Sequence, residues 1–250
     1  MPLSSVRSAV ERLLLPAECL ICHGLLNPRD AARIVCPLCR QRWRAVRPPR
    51  CERCGQPEPH FGPCRLCPEW PAPLTSVRSA VWLDDGARRA VHGLKYGGLP
   101  RIADDLAAAM GPIRPETDGP SVLIPIPLAR KRLRERGYNQ SEKLARALAR
   151  QWRIPVLLDV LVRTRETPTQ TALTPGTRLA NVAGAFGTRN AELGTGNSSA
   201  FRLPSSTLIL VDDVFTTGAT LAEAARALEQ AGAKRIAGVT FARAAIPDFT

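Results

Sequence analysis

Cysteine is missing from the last 183 residues of this 250-residue chain, and aromatic side chains make up only 5% of it. No stretch approaches the roughly 18 uninterrupted apolar residues that a membrane-spanning helix needs, which excludes that class. Twelve aromatic rings offer little for a stacking platform on single-stranded nucleic acid. The opening stretch MPLSSVRSAVERLLLPAECL has a short apolar patch but no small-residue cleavage site, so a cytoplasmic protein is expected. Lysine is scarce too: of 35 basic residues only Lys95, Lys131, Lys143 and Lys234 are not arginine. The formal charge of +13 points to an anionic partner such as nucleic acid or phosphorylated metabolites, although so strong an arginine skew is also what genome composition can impose. What is present, 44% hydrophobic against 23% charged residues, suffices for one large core, or a core plus a small stapled module.

The eight cysteines all fall in CxxC pairs: Cys19/Cys22, Cys36/Cys39, Cys51/Cys54 and Cys64/Cys67. A disulfide framework needs an oxidising compartment and no repeated two-residue spacing. A CxxC turn instead presents two thiolates to one metal, and two turns complete a closed four-cysteine site. We therefore expect two structural zinc ions, paired in sequence order as a double zinc ribbon. Cross-brace pairing also satisfies the spacing, and iron–sulfur or redox chemistry is the lesser alternative. Two such sites, each about −2 with its metal, bring the formal charge to about +9. Arg40, Arg42, Arg44, Arg47, Arg50 and Arg53 concentrate the excess on the ribbons. A segment of this length has too few large apolar side chains for a core, so metal is expected to supply its folding free energy.

Three prolines in CPEWPAP mark a boundary, dividing the chain into a ribbon domain over 1–71 and a second domain over 72–250. In the latter, strand-like and helix-like runs alternate, the pattern of an α/β fold with a largely parallel sheet flanked by helices. SVRSAVWL reads as a strand, ARRAVHGLKY and IADDLAAAMGPI as helices, and VLIPIP (122–127) as a short buried strand. A basic loop follows, then a helix over about 141–151 and the apolar run PVLLDVLVRT. A polar segment over 165–181 precedes VAGAF.

The last unit, TLILVDDVFTTGATLAEAARALEQAGAKRIAGVTFARA, is a βαβ unit. The apolar residues 208–211 deliver Asp212 and Asp213 to the carboxyl end of a strand, where open α/β sheets bind ligands. The chain then turns through Thr216, Thr217, Gly218, Ala219 and Thr220 into a helix. Small residues there let backbone N–H groups and hydroxyls close around a phosphate at the helix N-terminus. Gly218 is expected to be bare because a side chain would fill the phosphate's place. Carboxylates beside such a cradle suit vicinal ribose hydroxyls, so a ribose 5-phosphate is the expected ligand.

VDDVFTTGAT resembles, over all ten residues, the phosphoribosyl diphosphate (PRPP) motif of type I phosphoribosyltransferases. The resemblance implies that Asp212 and Asp213 face the ribose hydroxyls, that Thr216, Thr217, Gly218, Ala219 and Thr220 hold the 5-phosphate, and that Mg2+ accompanies the diphosphate. Four CxxC pairs followed by GLKYGGLPRIADDLA, IPIPLARKRLRERGYNQSEKLARALA, TPTQTALTPGTRLANVAGAF and the PRPP motif resemble, in that order, the ComF family of competence-associated proteins. By that resemblance the basic loop is a pyrophosphate loop, with Arg136, Gly137, Tyr138 and Asn139 approaching the diphosphate. Residues 165–181 resemble a flexible loop over the substrate, with Gln170, Arg178 and Asn181 its positions of interest. Lys95 and Tyr96 are further candidates for the pocket lining. Two functions fit: a phosphoribosyltransferase releasing pyrophosphate, or a non-catalytic PRPP or nucleotide sensor that binds single-stranded DNA in an uptake machinery.

Overall fold

Strict alternation in the apolar strands decides the layering, since successive side chains of a strand point to opposite faces. In LILV, Ile209 and Val211 enter one core while Leu208 and Leu210 enter another. The sheet therefore has to be covered on both sides. The computed structural model describes residues 17–27, 30, 33–57, 64–165, 183–189 and 206–245.

Six strands and six α-helices organise these residues. Helix α1 spans Pro37–Gln41, β1 Leu74–Trp82, α2 Asp85–Tyr96, α3 Ile102–Met110, β2 Ser121–Pro125, α4 Arg130–Arg136 and α5 Gln140–Trp152. There follow β3 Leu161–Arg163, β4 Phe186–Thr188, β5 Thr207–Phe215, α6 Ala219–Gln230 and β6 Ile236–Arg243. Four strands form a wholly parallel sheet in the order β1-β6-β5-β2, and β3 pairs with β4 antiparallel. Helices α2, α3 and α5 pack on one face and α6 on the other. Asp84 caps α2 by accepting the N–H of Ala87, and Asn139 caps α5 by accepting that of Ser141, each satisfying a backbone donor the helix leaves unpaired.

Two expectations need correction. The basic segment after β2 is a helix, α4, closed by Gly137 in the left-handed region at φ 79°. A Cβ there would meet no protein atom within 4 Å, so within the protein the glycine serves the left-handed helix end. Second, β5 does not end at the acidic pair: it runs on to Phe215, with Val214 and Phe215 opposite Ala242 and Arg243.

The cysteine-rich segment does not stand apart. Cys19, Leu26, Val35, Cys39 and Trp43 are buried in the core under α2 and α3, and Cys54, Cys67 and Trp70 in the core under α6. Residues 44–46 run antiparallel to the free edge of β1, where Trp82 N–H donates to Arg44 and Val46 N–H to Ala80. That pairing covers an edge strand that would otherwise expose its hydrogen-bonding groups. Trp43 packs edge-on to Phe241, ring centroids 5.0 Å apart. The composition break near residue 71 is thus crossed by shared packing.

A buried carboxylate fixes the first cysteine segment to the helical layer. Asp105 of α3, 1% exposed, accepts the backbone N–H groups of Ile34 (2.9 Å) and Val35 (3.1 Å) and the guanidinium of Arg33 (3.2 Å). Arg40 lies 3.9 Å from the same carboxylate. Asp105→Ala leaves these donors buried without their acceptor, so it is expected to cost about 3 kcal/mol. Asp105→Asn, which keeps one acceptor oxygen, should cost less; thermal denaturation of the two variants in parallel checks the order.

Candidate functional site

Parallel strands end together, and the ends of β5 and β6 place the acidic pair where α2 and α5 also converge. The Lys95 ammonium, in the last turn of α2, lies 2.5 Å from Asp213 Oδ2. Asp213 is 3% exposed. Asp212 Oδ1 accepts the hydroxyl of Ser141, in the first turn of α5, and the backbone N–H of Asp213, both at 2.9 Å. One carboxylate is therefore countered by a cation and the other held by neutral donors.

The two environments titrate differently. Burial pushes the Asp212 carboxyl up to about 7, the neighbouring Asp213 charge adds to this, and Lys95, the Asp213 amide and Ser141 only partly offset it. Burial works against the charge on Lys95, but the Asp213 carboxylate, together with Asp212 and Tyr96, holds the ammonium above its ordinary value. Site and charge compensation are thus shared among β5, α2 and α5.

After Phe215 the chain passes through Thr216, with Thr217 and Gly218 buried, into α6. Gly218 is the N-cap of α6 at φ 80°, a left-handed conformation that favours glycine. A side chain there would meet two aromatic rings of the protein itself, where the sequence leads one to expect the phosphate. A Cβ there would stand 2.5 Å from Trp70 Cζ2 and 2.9 Å from Phe215 Cε2. The glycine is needed for its backbone conformation and for two rings behind the loop. Ala219 N–H points to Thr217 Oγ1 at 3.5 Å, and Ala219 and Thr220 open the helix.

Of the residues assigned to the pyrophosphate loop, Arg136 ends α4 and faces the end of α2. Its guanidinium lies over the ring of Tyr96, the residue after Lys95, at 5.1 Å, and donates to Gln140 Oε1. Tyr138 and Asn139 make structural bonds instead: the Tyr138 hydroxyl donates to Leu94 O, and the Asn139 side-chain amide donates to Ile126 O. They tie the start of α5 to α2 and to the end of β2. Gln170, Arg178 and Asn181 lie outside the described residues.

The cysteines gather as two tetrads in sequence order: Cys19, Cys22, Cys36 and Cys39, then Cys51, Cys54, Cys64 and Cys67, with the sulfurs of each set within 4.8 Å of one another. The cross-brace alternative is not what forms. Backbone N–H groups of Ile21 and Cys36 point at Cys19 Sγ, that of Cys39 at Cys36 Sγ and that of Gln56 at Cys54 Sγ. Such donors stabilise thiolates, the form that binds metal, and four convergent sulfurs suit a closed tetrahedral zinc site. The buried guanidinium of Arg243 faces the second tetrad, donating to Cys54 O at 2.8 Å and to Gln56 Oε1. It is a cation beside a site that carries net negative charge with zinc bound.

Sequence reasoning missed Asp105, Ser141, Trp70 and Arg243. Two of them left a faint signal. Asp105 occupies the face of α3 that also carries Ile102 and Leu106, and Arg243 is the one charged residue of β6.

Known proteins agree with this layout. A family model described as "Phosphoribosyl transferase domain" matches residues 78–247, and one described as "Double zinc ribbon domain" matches residues 10–68. The chain is 30% identical over 219 residues to Competence protein ComFC of Bacillus subtilis (strain 168), covering 83% of this chain and 82% of that protein. It is 29% identical over 233 residues to DNA utilization protein YhgH of Escherichia coli (strain K12), covering 90% and 96%. With Competence protein F of Haemophilus influenzae it shares 36% identity over 125 residues, half of this chain and 51% of that protein.

The raised Asp212 carboxyl has a consequence for stability. A carboxyl that titrates near 7 in the fold and at an ordinary 3.8 otherwise favours the folded state at low pH, and that contribution is lost as pH rises through about 7. Asp212→Asn keeps an acceptor for Ser141 and the Asp213 amide but bears no charge. Its melting temperature relative to the parent should therefore rise from pH 5 to pH 8. A gap that shrinks with rising pH would contradict the assignment.

Proposed function

The chain belongs to the phosphoribosyl transferase domain family, as a ComF-like protein with an N-terminal double zinc ribbon, and on that premise we propose that it binds PRPP and transfers its phosphoribosyl group to a nucleophile with release of pyrophosphate. The observation that carries this reading is the paired carboxylates in the last third of β5, with Lys95 on Asp213, followed after Phe215 by the Gly218 turn and the N-terminus of α6. The division near residue 71 is then one of role, with the ribbon serving as scaffold and 72–250 holding the ligand.

In this proposal Asp212 and Asp213 accept hydrogen bonds from the ribose hydroxyls. Thr216, Thr217, Gly218, Ala219 and Thr220 surround the 5-phosphate, whose charge the α6 dipole favours. Arg136, with Gly137, Tyr138 and Asn139 setting the turn it stands on, is the cation for the diphosphate. Gln170, Arg178 and Asn181 are proposed to close over the substrate. In the reaction the bond from the anomeric carbon to the diphosphate oxygen breaks and its electron pair leaves with pyrophosphate. The acceptor's lone pair forms the new bond and its proton passes to solvent. Positive charge developing at the anomeric carbon is stabilised by the carboxylates below the ring. Mg2+ bound with the diphosphate would neutralise charge on the leaving group.

Two measurements test this. Calorimetry should show Mg2+-dependent PRPP binding, and Asp213→Asn, which removes the partner of Lys95, should lower turnover more than affinity. Equal losses would leave the pair a holding role. Bound PRPP without pyrophosphate release for any acceptor supplied would favour the sensor reading.

A partner in DNA handling rests on the relatives' names and on one surface. Among the ribbon arginines, Arg53 is spent on four backbone carbonyls, Arg50 on Val46 O, and Arg40 lies beside Asp105. Arg42, Arg44 and Arg47 remain exposed, with Arg44 over the Trp82 ring. We propose this arginine face as the contact for single-stranded DNA phosphates. Its affinity should fall with salt by a log–log slope of about −0.7 per phosphate neutralised. Replacing Arg42, Arg44 and Arg47 with Ala should flatten that slope while PRPP binding persists; an unchanged slope would place the contact elsewhere.

A further inference from the structure

The turn that precedes α6 is shaped from behind. The side of Gly218 that lacks a Cβ is closed by Trp70 and Phe215, whose rings pack edge-to-face at 6.1 Å. Any shift of either ring moves the wall against which this turn rests, because packed interiors transmit displacement instead of absorbing it.

Trp70 is itself held by the second cysteine tetrad. Its backbone N–H donates to Cys67 O at 3.3 Å. Arg53, inside the Cys51–Cys54 knuckle, donates to the carbonyls of Trp70 and Pro71 at 3.0 Å each, to Cys67 O at 3.0 Å and to Leu74 O at 3.2 Å. Phe215 is held from the other side. The Arg243 guanidinium, 1% exposed, lies 4.2 Å from the Phe215 ring centroid while bonded to Cys54 O. The backbone of Trp70 is thus bonded to Cys67, and the ring of Phe215 is linked through Arg243 to Cys54, two cysteines of the same tetrad. The first tetrad is anchored differently, through Asp105 of α3 and through Arg89 of α2, which donates to Ile21 O.

We propose that the second cysteine tetrad is the backing of the phosphate turn, with Trp70 and Arg243 as positioning residues that couple zinc at Cys51, Cys54, Cys64 and Cys67 to ligand binding at Thr217 and Gly218. The proposal rests on the PRPP reading above and gives the zinc ribbon a part in it beyond folding. Coupling between two binding events is reciprocal: if zinc in this tetrad favours the PRPP-competent turn, PRPP must favour zinc retention in this tetrad.

The test uses the full-length zinc-loaded protein. Zinc release driven by a thiol-alkylating reagent is followed with a chromogenic chelator, with and without saturating PRPP and Mg2+, and alkylated cysteines are located by mass spectrometry. PRPP should slow modification of Cys51, Cys54, Cys64 and Cys67 by about tenfold and leave Cys19, Cys22, Cys36 and Cys39 near their original rate. In parallel, Trp70→Ala should lose about tenfold in PRPP affinity by calorimetry while retaining two zinc ions, and Trp70→Phe, which keeps a ring behind Gly218, should recover most of it. PRPP that binds but protects both tetrads alike, or neither, overturns the inference alone. So does a Trp70→Ala variant of unchanged affinity. Failure of the unaltered protein to bind PRPP overturns the ligand reading and this inference with it.

Discussion

Two carboxylates on consecutive residues at the end of a buried strand repel each other and lose hydration together, and the fold around them is arranged to offset both costs. Lys95 supplies a cation 2.5 Å from Asp213, and Ser141 with a backbone N–H holds Asp212. These partners come from α2 and α5, so the helix ends must stop where they do. Asp84 and Asn139 fix their starts as N-caps, and the Tyr138 hydroxyl ties α5 to Leu94, one residue before Lys95. Even so the compensation is incomplete: burial still pushes Asp212 up to about 7. A ligand that brings hydroxyl donors to this pair would meet a need the protein leaves partly unmet.

The ribbon segment answers a different constraint. With few large apolar residues, it cannot enclose itself, and a metal site alone would leave its backbone donors and acceptors facing a sheet edge. It is instead stitched to the α/β layer by three buried or half-buried charged residues. Asp105 gathers the amides after the first CxxC turn, Arg53 gathers four carbonyls within the second half, and Arg243 reaches from β6 to Cys54. Each charge makes at least one hydrogen bond to a peptide group, which helps an ionised group tolerate burial. Arg53 thereby leaves the basic surface, and the exposed arginine face of this stretch narrows to Arg42, Arg44 and Arg47.

The same economy explains Gly218. One residue satisfies a left-handed helix start and makes room for Trp70 and Phe215. The ribbon and the phosphate turn meet at that glycine. A motif that reads as local chemistry is, in space, the contact between the two halves of the chain.

The sequence by itself determined the parallel α/β architecture, the four CxxC pairs and an acidic pair late in a strand that leads into a glycine turn and a helix. Each of these rests on residues close together in the chain: short continuous apolar runs, a two-residue gap between thiols, ten contiguous residues from Val211 to Thr220. Tertiary structure alone decided which cysteines share a tetrad, that the basic stretch 130–136 is a helix, and that Tyr138 and Asn139 brace the start of α5. It also chose the partners of the buried charges: Asp105 with Ile34 and Val35, Lys95 with Asp213, Arg243 with Cys54. Those pairs are separated by tens to nearly two hundred residues, and hydrogen bonds between such distant groups follow from how the layers pack, a property no local spacing encodes.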